Sequence, residues 1–259
     1  MSDTNNFEVV PLRAFRDNYI WTLRNDRYAA VVDPGDAQPV LDYLQREKLE
    51  LCAILATHHH PDHVGGVAEL LAQHAVPVYG PRGEPIPTLT HPVGEGDQVE
   101  IPQLGLRFSV LDIPGHTRAH IAYYGANSLF CGDTLFACGC GRLFEGTAQQ
   151  MAVSLGKLAA LPDATLVYSG HEYTLANIDF ARAVEPENEE LKARAASEAE
   201  KRERDRPTLP STIGREKKTN PFLRCQQPAV IASADKYLGA RAGDPVQVFA
   251  ALRKWKNAY

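Results

Sequence analysis

One stretch of the sequence decides the fold and the chemistry: Thr57-His58-His59-His60-Pro61-Asp62-His63. It directly follows the apolar run LCAILA and precedes a segment with apolar residues at helical spacing. In an extended segment His58 and His60 point to the same face, because side chains alternate along the backbone. Both imidazoles can then reach one metal ion, whereas Asp62 and His63 lie past the bend and can serve a second ion. The pattern predicts a metal-binding turn between a strand and a helix.

These residues cannot complete two metal sites, so the hypothesis requires further ligands along the chain. His116 follows the apolar run LRFSVLDIPG, Asp133 follows SLFCG, and His171 follows ATLVYSG. Each is a metal-ligand residue type with a glycine beside it, just beyond an apolar segment. Taken singly, each is typical of an ordinary loop, but the repeated context predicts that all three belong to the metal site.

The first two-thirds of the chain favour short strands with helices between some of them. Helical spacing occurs at residues 40–44, 64–71 and 151–158, and the turn Gly125-Ala126-Asn127 is typical of a hairpin. A mixed sheet is therefore predicted rather than a purely parallel one. The predicted strands are residues 8–12, 19–24, 28–33, 51–57, 76–79, 106–113, 120–124, 128–131 and 165–169.

The strand pattern stops after about Tyr173. Residues 188–206 are rich in Ala, Glu, Lys and Arg and predict an exposed helix, and residues 207–224 predict a long loop. Two short amphipathic helices follow. We expect a catalytic domain at residues 1–172 and a helical, substrate-binding domain at residues 173–259.

Composition excludes several classes of function. The 259 residues are 44% hydrophobic and carry a formal net charge of -5, so no basic field is available to bind nucleic acid. The first thirty residues hold no apolar stretch of secretory length, and no later run approaches a membrane span. Five cysteines are an odd count that indicates reduced thiols. We expect a cytoplasmic protein without membrane or nucleic-acid partners, and no metal site at Cys138-Gly139-Cys140.

The ligand pattern resembles that of the metallo-β-lactamase superfamily, which has His-x-His-x-Asp-His followed by single His, Asp and His positions. The resemblance implies an α+β fold, an αββα sandwich with the site at one edge and a smaller helical C-terminal domain. It also implies two groups of ligands with Asp133 bridging them. One group is His58, His60 and His116, and the other is Asp62, His63 and His171.

Within that superfamily the chain resembles the glyoxalase II, or hydroxyacylglutathione hydrolase, family almost from end to end. The blocks that carry this resemblance are FRDNYIW, GDTLFACGCGRLFEGT, SGHEYT, VEPEN, PTLPST, NPFLR and DPVQVFAALRKWK. The family implies a thioester hydrolase with two divalent metal ions per chain, zinc being expected and iron or manganese being alternatives. We expect a monomer. The implied reaction converts S-D-lactoylglutathione to glutathione and D-lactate, the second step of methylglyoxal detoxification.

Metal chemistry suits this reaction. Two divalent cations that share a water lower its pKa towards about 7, so hydroxide is present at neutral pH to attack the thioester carbonyl. Asp133 and Asp62 are the expected catalytic carboxylates around this bridging hydroxide. A thiolate is a good leaving group, so no strong general acid is required.

Glutathione conjugates carry two carboxylates, so a site that selects them should offer cationic groups. The resemblance implies Arg142, Arg253 and Lys256 for this role, and Tyr173 as a hydroxyl that reaches the substrate backbone. Phe144 stands where relatives can carry Tyr, which removes one hydrogen bond worth about 0.5–1.5 kcal/mol. For Arg253 and Lys256 the alternative is a solvated basic face on a terminal helix.

Other polar residues near the motif have open roles. His120 can support the ligands or lie on a strand edge, and Ala119 before it replaces the glycine usual in the family. Asp33 can support the site or be a polar turn residue. His59, on the face opposite the two ligands beside it, is expected to be structural. His74 and His91 receive the same assignment.

Several functions compete with this prediction. A lactonase or a general acyl-thioesterase would use the same metals, and the C-terminal basic residues discriminate against both. A β-lactamase is disfavoured by the lack of an export signal, and a persulfide dioxygenase would not require Asp62 as a ligand. In a non-catalytic metal module each ion would be closed by four protein ligands, whereas seven residues with one shared leave room for substrate.

Overall fold

The computed structural model describes residues 7–259, which form two compact units. The first comprises residues up to Asp112 together with Ala119–Gly132, and the second comprises Ile113–Arg118 and Asp133–Tyr259. These bounds differ from the division expected at residues 172 and 173, which stays a prediction. Among residues 7–259, no helix is both long enough and apolar enough to cross a bilayer.

A six-stranded sheet in the first unit has its strands in chain order. They are β1 (Glu8–Ala14), β2 (Asn18–Arg24), β3 (Tyr28–Val32), β4 (Glu50–Leu55), β5 (Val78–Pro81) and β6 (His91–Val93). The first three strands pair antiparallel, and β3 to β6 pair in parallel. The predicted mixed sheet is confirmed.

Three helices accompany this sheet: α1 (Gln38–Glu47), α2 (Pro61–Val64) and α3 (Val67–Gln73). The expectation of one helix from Val64 onward is wrong, because α2 and α3 are separated at Gly65 and Gly66. A Cβ on Gly66 would lie 2.5 Å from the main-chain nitrogen of Ala37. The two glycines therefore let the chain approach the start of α1 closely, and the helix is interrupted there.

A second set of strands in the first unit is antiparallel: β7 (Gln98–Ile101), β8 (Leu106–Asp112), β9 (Ile121–Gly125) and β10 (Ser128–Gly132). Ala126 and Asn127, which join β9 to β10, both have positive φ, 48° and 57°. That backbone is typical of a two-residue hairpin turn, as predicted. Every residue of β10 is buried.

The second unit is mainly helical. Two short strand pairs occur in it, β11 (Leu135–Phe136) with β12 (Gly139–Cys140) and β13 (Leu166–Ser169) with β14 (Ser211–Thr212). Its helices are α4 (Ala148–Ala159), α5 (Thr174–Val184), α6 (Glu189–Glu203), α7 (Ile213–Thr219), α8 (Pro228–Leu238) and α9 (Pro245–Ala258). Helices α8 and α9 correspond to the two amphipathic stretches predicted near the C-terminus.

Two expectations for this unit need correction. The long loop at residues 207–224 is wrong, because it contains β14 and α7, whose first turn is capped by the Thr212 hydroxyl. The helix at residues 188–206 exists as α6, but one face is buried. Arg194 on that face is paired with the buried Glu216 at 2.7 Å. The many charged residues of this segment predicted that the helix would be exposed. The prediction fails on one face, because the charge of Arg194 is buried together with that of Glu216.

Candidate metal centre and substrate cavity

Two histidines in the turn after β4 face each other. His58 is fully buried, and its Nε2 lies 3.1 Å from Nδ1 of His60. On the other side of the ring, Nδ1 of His58 lies 3.0 Å from the Thr57 hydroxyl. Two imidazole nitrogens bound to one tetrahedral zinc ion would lie roughly 3.4 Å apart. The pair therefore has a spacing that suits two ligands to one ion.

Asp33 orients this turn from the end of β3. Its Oδ1 accepts a hydrogen bond from the Thr57 main-chain N–H at 2.7 Å, and its Oδ2 accepts one from the Thr57 hydroxyl at 2.8 Å. The same Oδ2 lies 3.1 Å from Nδ1 of His63. A carboxylate at Nδ1 fixes the imidazole ring and directs Nε2 towards a metal. The contacts favour a supporting role for Asp33 over that of a polar turn residue.

Asp62 is held by an asparagine that our sequence analysis did not single out. Nδ2 of Asn18 donates to Oδ2 of Asp62 at 3.0 Å and to its main-chain oxygen at 3.3 Å. Nε2 of His63 lies 3.5 Å from the same Oδ2. The available signal was the FRDNYIW block, which contains Asn18 but does not indicate its partner.

His120 packs behind a predicted ligand. Its buried ring stacks on His58, with centroids 4.5 Å apart and an interplanar angle of 18°. His120 is therefore placed to support His58 and does not lie on an exposed strand edge. The neighbouring His59 lies elsewhere, with its main-chain nitrogen and its Nδ1 each 2.6 Å from Oε2 of Glu84. This contact is consistent with the structural role expected for His59.

In the second unit, one aspartate lies between two histidines. Oδ2 of Asp133 is 3.6 Å from Nε2 of His116 and 3.2 Å from Nε2 of His171. All three side chains are buried. Nδ1 of His116 lies 2.9 Å from the carbonyl oxygen of Arg142. With the proton at Nδ1 in that hydrogen bond, Nε2 presents a lone pair towards the aspartate.

A glycine lets the hairpin β11–β12 approach these residues. A Cβ on Gly141 would lie 1.9 Å from the main-chain oxygen of Asp133 and 3.0 Å from Nδ1 of His116. Any side chain there would displace the backbone. The GCG segment of the sequence is therefore explained by close packing.

A cavity of about 460 Å³ in the second unit contains all five predicted substrate-binding residues in its lining. These residues are Arg142, Phe144, Tyr173, Arg253 and Lys256. His116 and Asp133 line the same cavity. The structure thus brings two predicted metal ligands and three cationic side chains together within one unit.

Aromatic rings cover the two histidines of this unit. Tyr173 stacks on His171 with centroids 4.6 Å apart and an interplanar angle of 5°. Phe144 is 62% exposed, and its ring makes an edge-to-face contact with His116, with ring centroids 5.3 Å apart. Phe144 therefore contributes apolar surface at the position where relatives can offer a hydroxyl.

The two basic residues of α9 have different environments. Arg253 is buried, and its Nη1 donates to the carbonyl oxygen of Cys140 at 2.7 Å. A solvated basic face is therefore wrong for Arg253. Nζ of Lys256 donates to the carbonyl oxygen of Ala176 at 2.8 Å. Burial lowers the pKa of Lys256 to about 8, and repulsion from Arg253 acts in the same direction.

The thiols near the hairpin β11–β12 are buried and protonated at neutral pH. Burial raises the pKa of Cys138 to about 12, and it also raises the pKa of Cys140. Thiols with raised pKa values are poor nucleophiles. Cys138 packs in a buried apolar cluster with Ile178, Ala181 and Leu191, and Cys140 lines the cavity.

Comparison with known proteins identifies the family. Residues 14–171 match the family model described as the metallo-beta-lactamase superfamily, and residues 172–259 match the one described as hydroxyacylglutathione hydrolase C-terminus. A hydroxyacylglutathione hydrolase of Nitrosomonas eutropha is 58% identical over 252 residues, which cover 97% of this chain and 99% of that protein. The chain belongs to the hydroxyacylglutathione hydrolase family. The expected family and its hydrolase class are confirmed.

Solved structures support the fold. ETHE1 from Myxococcus xanthus is 26% identical, with a TM-score of 0.66 and coverage of 97% of this chain and 98% of that one. TTHA1623 in a di-iron-bound form is 27% identical, with a TM-score of 0.59 and coverage of 83% and 100%. The predicted metallo-β-lactamase fold class is confirmed for this hydroxyacylglutathione hydrolase family member.

Proposed function

We propose that this chain is a metal-dependent thioesterase that hydrolyses S-D-lactoylglutathione to glutathione and D-lactate. This reaction is the second step of methylglyoxal detoxification. The observation that carries the proposal is the second unit's cavity, which joins His116 and Asp133 to Arg142, Arg253 and Lys256. The relatives' name, hydroxyacylglutathione hydrolase, supports the same substrate class. A monomer acting in the cytoplasm stays a prediction.

Charge and shape in this cavity suit a glutathionyl group. Glutathione has two carboxylates, and a cavity with cationic side chains attracts them. Lys256 is the charge better placed for a carboxylate than Arg253, because Lys256 is half-buried whereas Arg253 is buried. Tyr173 and Phe144 are both exposed. Tyr173 would offer its hydroxyl to the substrate backbone, and Phe144 would offer apolar surface.

We propose that seven residues hold two divalent metal ions. They are His58, His60, Asp62, His63, His116, Asp133 and His171. Imidazole nitrogens and carboxylate oxygens are a donor set that accepts zinc, iron or manganese. The His58–His60 spacing fits ligation, and the di-iron form of TTHA1623 is a precedent among similar folds. Zinc remains our expected metal.

Bound divalent metals would supply Lewis acidity and a water of lowered pKa. Side chains of the protein hold and orient the groups that take part in this chemistry. Asp62 and Asp133 act as the catalytic carboxylates, each presenting Oδ2 to Nε2 of a histidine. Asp33 fixes the ring of His63, and the Arg142 carbonyl fixes that of His116. Fixed rings cost no reorganisation when the substrate reacts.

Steady-state hydrolysis by metal-replete protein tests the proposal. S-D-lactoylglutathione is compared with an acyl-CoA, a lactone and a β-lactam. Strong preference for the glutathione thioester is expected. Turnover of another substrate alone would contradict the assignment of Arg142 and Lys256 to glutathione recognition.

Chelation separates catalytic from structural metals. Removing metal should abolish turnover while most of the far-UV circular dichroism persists, because both units have cores of their own. Re-addition of Zn²⁺ should restore turnover. Wholesale unfolding on chelation would favour a non-catalytic metal module instead.

A further inference from the structure

The turn between β1 and β2 presents an aromatic ring to solvent. The strand register pairs Ala14 with Asn18, so residues 15–17 form the turn. Phe15 is 61% exposed and has a left-handed φ of 51°. A bulky residue in that conformation is strained, and an exposed aromatic ring gains little from burial. The stability of the fold therefore does not explain why an aromatic residue occupies position 15. Backbone strain of this kind is concentrated at functional sites.

This turn is fixed to a proposed metal ligand. Asn18 is buried, and its side chain holds both the carboxylate and the main chain of Asp62. Gly35 packs against the same main chain, since a Cβ there would lie 1.9 Å from the oxygen of Asp62. The Asp62 side chain is still 41% exposed. Phe15 thus belongs to a turn that leads directly into Asn18, which is anchored to the partly exposed carboxylate of Asp62.

We propose that Phe15 is a specificity-determining residue that contacts the acyl group of the substrate. The inference rests on the proposed function. Under that function Asp62 would help to hold the metal ions that activate the thioester carbonyl, and the acyl substituent is one bond from that carbonyl. Phe15 lies three residues before Asn18, whose side chain touches Asp62. Its ring offers an apolar contact that Asn18 and Asp62 cannot supply, so acyl groups with apolar substituents are favoured.

The test compares two thioesters that differ only in the acyl group, S-acetylglutathione and S-D-mandeloylglutathione. In F15A and F15G, kcat/KM for the mandeloyl substrate should fall about fivefold, and that for the acetyl substrate should change by less than about twofold. F15Y keeps the ring and should keep the preference. Glycine adopts the left-handed conformation freely, so agreement between F15A and F15G assigns the effect to the ring.

Two controls accompany these variants. L238A removes a side chain that is 43% exposed on α8 and should leave the mandeloyl-to-acetyl ratio unchanged. Metal content, measured by emission spectroscopy, should be equal in all variants. An unchanged ratio in F15A and F15G, or an equal fall for both thioesters, would overturn the inference alone. Failure of the unmodified chain to hydrolyse either thioester would overturn the proposed function and this inference with it.

Discussion

Gly83 leaves room for the methyl group of Ala119: a Cβ placed on Gly83 would lie 2.7 Å from the Cβ of Ala119. The Ala119 main-chain N–H donates to Oε1 of Glu84 at 3.1 Å, and Oε2 of Glu84 accepts from the His59 main-chain N–H at 2.6 Å. One carboxylate thus joins the ligand turn to the residue before His120. The alanine that replaces the family's usual glycine is accommodated by a glycine on the opposite side.

Gly83→Ala should therefore destabilise the protein. Two methyl groups cannot both fit, and overpacking of this kind costs about 1–3 kcal/mol in the free energy of unfolding. Urea denaturation at fixed metal content measures the loss. Adding Ala119→Gly should recover most of it. Gly156→Ala is the control, because among residues 7–259 no heavy atom beyond the local helix backbone lies within 4 Å of a Cβ there, and stability should be unchanged or raised by up to ~1 kcal/mol. An equal loss with and without Ala119→Gly would contradict the packing argument.

Asp133→Ala should lose metal and activity together. Its Oδ2 lies between Nε2 of His116 and Nε2 of His171, so one substitution removes a shared partner of both. We expect kcat to fall at least about a hundredfold and bound metal to decrease, measured by emission spectroscopy. Asp163→Ala, at an exposed surface ion pair with Lys217, should change neither. Near-normal turnover in Asp133→Ala would refute the two-metal assignment.

Asp33→Asn should weaken metal binding without removing a ligand. The amide keeps the size of the carboxylate but loses its charge beside Nδ1 of His63. Loss of such a supporting carboxylate typically lowers metal affinity about 10–100-fold. Competition with a chromogenic chelator measures the change. Unaltered affinity would return Asp33 to the role of a turn residue.

Lys256 gives a pH dependence with a definite sign. Its pKa of about 8 means that the amine is charged below that pH and neutral above it. If this charge attracts a substrate carboxylate as proposed, kcat/KM should fall as the pH rises through about 8. Lys256→Arg keeps its charge and should abolish this fall. The folded pKa lies below the ordinary value of 10.5, so the contribution of Lys256 to stability decreases as the pH falls from 10.5 to about 8.

Substitution of the two basic residues of α9, Arg253 and Lys256, should have different effects. Arg253→Ala should lower the free energy of unfolding by about 1–3 kcal/mol, because it leaves the buried Cys140 carbonyl without its donor. Lys256→Ala should raise KM more than it lowers kcat, since it removes substrate binding rather than a group at the reacting bond. Urea denaturation and steady-state kinetics distinguish the two. If Arg253→Ala raised KM as much as Lys256→Ala does and left the free energy of unfolding unchanged, the structural role of the buried Arg253 would be contradicted.

Local patterns predicted the turn at residues 57–63 that carries the proposed ligands. The strand before His58 follows from the apolar run LCAILA, and strand alternation predicted that His58 and His60 share a face. The helix was expected from Val64, whereas the structure starts it at Pro61. Asn18 could not be found this way, because its partner Asp62 is 44 residues away. No spacing rule links an asparagine in one hairpin to an aspartate in a later turn.

Charge was the less reliable guide. The sequence of α6 favours full exposure, yet Glu198 is completely buried and pairs with Arg215 of α7. Residues 207–224 have the composition of a loop, but α7 forms there because α6 supplies partners for its charges. Tertiary pairing overrides composition at both places.

The hydrogen bond from Arg253 to the Cys140 carbonyl spans 113 positions of the chain. A polypeptide leaves the ribosome from its N-terminal side, so the hairpin β11–β12 is made long before α9 exists. Until α9 emerges, the cavity lacks Arg253 and Lys256, and the Cys140 carbonyl lacks the hydrogen bond from Arg253. A nascent chain stalled after α8 would therefore lack two of the three cationic residues of the proposed glutathione site, so under that proposal activity begins only once this late helix has been made.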